Sequence, residues 1–209
     1  SVIIEHIKDK DCNERESSLN FFIYNVIPGT TSAALIKAKF LKDIILKKFI
    51  IDEISSDYAF ELLSHMKGGP SVKALIDLLL DSNPNNAQSA ANILKTQVFL
   101  YDADMERLKN AYEDDNPYAK EVLISYSKAE FFTKLPEIEK EIKVVTYVAG
   151  IGDISTDFLS PGSDAHSRAD RELHGQSMFE HNIDKQNELL ALKEKHPDKI
   201  IMLVAEKGT

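Results

Sequence analysis

Across the first 135 or so residues, apolar positions recur every three or four places, the spacing that lays one face of an α-helix against a core. Leu35, Ile36, Phe40, Ile44 and Ile45 mark one such stripe, and Val72, Leu75, Ile76, Leu79 and Leu80 mark another. Breaks fall at "PGT" (28–30), "DEISSD" (52–57), "KGGP" (67–70), "SNPNN" (82–86) and "DDNP" (114–117), each supplying Gly, Pro or a residue that caps a helix. The clearest unit is "SSDYAFELLSHMKGGPSVKALIDLLLDS". There Ser55 or Ser56 caps a first helix, Gly68 and Gly69 end it, and Pro70 opens a second. Helix pairs joined by short connections predict a small helical-repeat array, although no strict sequence period runs through them.

After Pro136 the pattern changes. "EIKVVTYVAG" and "KIIMLVAEKG" (199–208) are β-branched, apolar runs short enough for buried strands. Between them "DKQNELLALKEKHPDK" sets Leu189, Leu190 and Leu192 among charges and ends at Pro197, as a surface helix does. Strand, polar loop, helix and strand open an α/β domain. The predicted organisation is therefore an all-α domain over 1–135 and an incomplete α/β domain over 136–209.

Composition narrows the function. With 34 Asp and Glu against 25 Lys and Arg, the net charge of −9 argues against a globally basic, phosphate-neutralising surface. The single cysteine, Cys12, permits no intrachain disulfide and holds neither a Cys-ligated zinc nor an iron–sulfur cluster by itself, which fits a reducing cytoplasm. No run reaches the roughly 18 apolar residues of a membrane span, and the start lacks the order of a signal peptide. The chain opens on a helical pattern and closes just after a strand-like run, which reads as part of a longer protein.

The candidate chemistry lies in "GDISTDFLSPGSDAHSR" (152–168), directly after the first strand. Asp153, Ser155, Asp157 and Asp164 take the first, third, fifth and twelfth places of a calcium loop, but the sixth holds Phe158 where a sharp turn needs Gly, and the twelfth lacks the bidentate Glu. His166, His174 and His181 are eight and seven residues apart, matching no zinc spacing. What survives is anion recognition by the planar fork of Arg168, with Asp157 or Asp164 orienting it, set against a plain capped turn with a surface Arg. Two further stretches invite a binding role. "YSKAEFF" (126–132) mixes aromatic and basic residues but reads as a helix packing its aromatics inward. "KAKFLKDIILKK" (37–48) carries five lysines and reads as a solvated face, and as the best local candidate for an acidic partner such as RNA.

"STDFLSPGSDAHSR" resembles the entry to the swivelling domain of the aconitase B family, which has Thr-Asp-Asp-Leu-Ser-Pro followed by Asp-Ala-Trp-Ser-Arg. "KAKFL" (37–41), "ELLSHMKGG" (61–69), "NPYAKEVLISYSKAEFF" (116–132) and "IIMLVAEKGT" (200–209) resemble further landmarks of that family's amino-terminal half, in order. The chain departs from the pattern at Phe158, His166 and Ala169. The resemblance implies a HEAT-like helical domain followed by the first part of an aconitase-type swivelling α/β domain. It also implies a parent enzyme that interconverts citrate and isocitrate through cis-aconitate. By position, Arg168 matches an arginine that grips a substrate carboxylate, and Asp157 matches an active-site aspartate, the catalytic candidate. The family's [4Fe-4S] cluster and its catalytic serine come from residues beyond those present, so this segment alone is expected to be inactive and to bind no metal. At domain level the resemblance implies protein partners or a homodimer through the helices, a messenger RNA role and no membrane. The rival reading is a stand-alone helical-repeat binding or RNA-regulatory protein.

Overall fold

The structure is a computed structural model and describes residues 1–25, 31–97, 102–129, 140–150, 153–162, 170–205 and 207–208. They fall into two compact units, Ser1–Ala129 and Glu130–Thr209. The expected boundary at 135/136 lies outside the described residues, as does "PGT" (28–30).

The first unit is a helical array: α1 (Val2–Lys8), α2 (Arg15–Tyr24), α3 (Ser32–Ile45), α4 (Ser56–Met66), α5 (Gly69–Leu79), α6 (Pro84–Leu94), α7 (Asp102–Glu113) and α8 (Pro117–Ser127). Its starts follow from side-chain oxygens that accept otherwise unpaired first-turn N–H groups: Thr31 from Ala34, Ser55 from Tyr58, Asn83 from Asn85, and Asn116 from Tyr118 and Ala119. Helix α5 is the central piece, packing on α3, α4, α6 and α7. Val72, Leu75, Ile76, Leu78 and Leu79 are removed from water entirely, each stabilising the fold by about 1.5–3 kcal/mol.

Two local expectations are corrected. On α3 the buried stripe is rotated: Ala34, Lys37, Ala38, Leu41 and Ile45 face inward beside Phe40 and Ile44, while Leu35 and Ile36 are 52% and 42% exposed. Between α4 and α5 the left-handed residue is Lys67 (φ 39°), and the glycines belong to the second helix rather than ending the first. Ser71 holds that junction, accepting from Gly68 N at 3.1 Å and donating to Gly68 O at 2.8 Å.

The second unit contains β1 (Val144–Val148), β2 (Asp153–Ile154), α9 (Thr156–Leu159), α10 (Arg171–Gly175), α11 (Ile183–Lys195), β3 (Ile200–Val204) and β4 (Lys207–Gly208). Strands β1 and β3 pair in parallel from Val144↔Ile200 to Val148↔Val204, with α11 as the helix of the crossover, and β2 pairs in parallel with β4. Leu189 and Leu192 of α11 join Tyr147, Phe179, Ile201 and Leu203 in a small core. On the opposite sheet face Val144, Val148, Ile200, Met202 and Val204 are exposed, although parallel sheets are ordinarily covered on both faces. No helix among the described residues is long and apolar enough to cross a membrane.

Candidate functional site

Two residues past the end of β1 stands Gly150, whose φ of +131° a side chain would strain. The chain continues as a short strand and then a single helical turn, β2 and α9, where a calcium loop would instead wind round an ion. Asp157 lies in the first turn of α9 and is exposed. The chain then folds back on itself, so that a Cβ on Gly162 would stand 4.0 Å from Asp157 Oδ1, and Pro161 is buried.

Helix α10 and the turn after it support this segment. Ser160 Oγ and His174 Nε2 share a hydrogen bond of 2.9 Å. Phe179 N donates to Phe158 O at 2.7 Å, and the two rings lie 6.3 Å apart. Phe179 adopts a left-handed φ of 58° yet is buried, with its ring edge-on to Tyr147. Tyr147 in turn donates to Glu188 Oε2 at 3.0 Å, and its phenol is pushed up to about 12 by burial and by the Glu188 carboxylate. Phe158 is thus backed by an aromatic pair, Phe179 and Tyr147.

Of the two expected site residues, the structure places Asp157 here. Arg168, with Asp164 and His166, lies outside the described residues. The other histidines do not converge: His174 is bonded to Ser160, and His181 pairs with Glu180 at 3.5 Å. No group of three or more His, Cys, Asp or Glu side chains among the described residues could hold a metal ion. An iron–sulfur cluster needs several thiolates, and the chain's one cysteine sits in the α1–α2 connection, so the donor set does not fit that group. Sequence reasoning weighed His174 only as a zinc ligand and passed over Phe179. Their roles depend on tertiary contacts that carry no local signature.

The basic stretch 37–48 is largely used within the fold. Lys37 is buried and donates to Phe22 O and Asn25 O, Lys42 pairs with Asp77 at 2.5 Å, and Lys48 pairs with Asp43 at 2.8 Å. Lys39 and Lys47 face solvent. Among the described residues, three of the five lysines thus have partners within the fold, and Lys39 and Lys47 have none. In "YSKAEFF", Tyr126 packs against the helical core, whereas Phe131 and Phe132 lie outside the described residues.

Comparison with known proteins covers both units. Residues 1–132 match the family described as the aconitate B N-terminal domain, and residues 144–209 match the aconitate hydratase 2 N-terminus. Aconitate hydratase B of Salmonella typhimurium is 35% identical over 181 residues, covering 86% of this chain and 20% of that protein. The enzymes of the same name from Pseudomonas aeruginosa and Escherichia coli are each 33% identical, over 85% and 86% of the chain and 20% of their own length. The chain thus spans about a fifth of the length of the curated relatives it matches.

Proposed function

The chain belongs to the aconitate B N-terminal domain family, and from that premise we propose that it forms the amino-terminal part of an aconitate hydratase, a hydro-lyase that interconverts citrate and isocitrate through cis-aconitate. On this reading residues 1–135 are a HEAT-like domain that meets protein partners or a second copy, and 136–209 begin a swivelling domain that contributes one substrate-gripping loop. A tricarboxylate must be read by cationic forks. Arg168 supplies one, binding a carboxylate through two parallel N–H bonds, and Asp157 orients the arrangement from α9.

The observation that supports this best is the exposed Asp157, placed on the one-turn helix α9 that follows β2, in a chain whose relatives align through both units in order. RNA binding is not part of the proposal, because three of the five lysines that would serve it are engaged internally. The test is turnover. A longer protein that contains this chain and carries the remaining four-fifths of its relatives' length is expected to convert citrate to cis-aconitate, followed by ultraviolet absorbance, while the 209-residue chain alone converts none. A longer protein inert towards citrate and isocitrate overturns the reading.

A further inference from the structure

We propose that His174 is a positioning residue of the tricarboxylate site, acting through Ser160 to fix the one-turn helix that presents Asp157; this rests on the reading of Asp157 as substrate-facing. A helix of four residues, α9, does not hold itself, since nucleation costs more than so few hydrogen bonds return. Its N-cap, Ser155, makes no side-chain capping bond. The turn must therefore be fixed from outside, and two contacts do so just after Asp157. Phe158 O accepts from Phe179 N at 2.7 Å, and Ser160 Oγ meets His174 Nε2 at 2.9 Å.

The support is itself anchored. Asp170 caps α10 by accepting from Leu173 N at 3.3 Å, and His174 O accepts from Ser177 Oγ at 2.7 Å, which ties down the backbone that carries the imidazole. Phe179 is locked in the small core under Tyr147. Asp157 is thus an exposed carboxylate on a turn clamped one residue and three residues further on. Such rigidity matters because a displacement of about 1 Å in a catalytic group costs on the order of 100-fold in rate.

The experiment uses the full-length enzyme and follows citrate turnover, with thermal melting of every variant. His174→Ala and Ser160→Ala are each expected to lower kcat/KM about 10-fold or more at unchanged melting temperature. The double variant should be no worse than either single one, because both remove the same bond. His174→Gln, whose side-chain amide still reaches Ser160, should recover most of the loss. Ser160→Ala deletes one hydroxyl and tests the idea even if His174→Ala does not fold. Asp157→Asn is measured alongside. If Asp157→Asn is impaired while Ser160→Ala is normal, or if the two single losses add, the positioning role is wrong and the substrate-site reading stands. If Asp157→Asn is normal, the substrate-site reading itself fails.

Discussion

Lys37 shows how a single residue escapes a reading by type. It is 2% exposed, with its ammonium 4.9 Å from the Phe22 ring centre and donating to Phe22 O at 2.5 Å and Asn25 O at 2.7 Å. These carbonyls are at the end of α2, where a cation suits both the unpaired oxygens and the helix dipole. Its helical spacing, three after Ala34 and four before Leu41, already put it on the buried face, yet a lysine among lysines reads as solvated. What could not be read was that α2 ends where a donor is needed. Burial lowers the Lys37 pKa to about 8. Since the unfolded chain holds the proton more tightly, the cost of burying the charge is full below pH ~8 and is relieved as pH rises towards ~10.5. Stability contributed by this site is therefore expected to rise over that window. Lys37→Met, which keeps the volume and strands the two carbonyls, should cost about 1–3 kcal/mol at pH 7 and flatten the rise in urea unfolding; an unchanged pH profile would contradict the assignment.

At the scale of elements, caps and punctuation were the most legible features and strand environment the least. Asn116 followed by Pro117 announced α8, and the structure gives Asn116 Oδ1 two first-turn donors, Tyr118 N and Ala119 N, each at 3.0 Å. Asn116→Ala should lower stability by about 1 kcal/mol, read as a shift in the urea midpoint with an unchanged slope. A wild-type midpoint would mean that α8 is held by packing alone. The rotated stripe on α3 has a different origin. Leu35 and Ile36 are apolar but lie one step round the helix from the face that Ala34, Ala38 and Leu41 bury, so residue type and helical phase disagreed and phase decided. The two strands were legible as β-branched runs. Their half-covered sheet was not, because a run that alternates little gives no sign of which face a helix will take.

For the whole molecule, the sequence carried the order of its parts: helices, then strand, loop, helix and strand. It did not carry the charge network that joins α3, α5 and α7, where Asp77 pairs with Lys42 at 2.5 Å and with Arg107 at 2.7 Å. Burial by itself would raise the Asp77 pKa, but the two cations hold the carboxyl below its ordinary value. Nor did it carry the support of α9 by α10, which joins residues 14 apart through Ser160 and His174. The candidate site was legible as a motif because its chemistry is local to one loop, whereas its rigidity is a property of the fold around it. The central claim is that this loop reads a tricarboxylate through Arg168. Steady-state kinetics of Arg168→Lys in the full-length enzyme test it most directly. Losing the two-pronged contact should lower kcat/KM for citrate by about 1–3 kcal/mol, or roughly 5- to 150-fold, mainly through KM. Unchanged kcat and unchanged KM would contradict it.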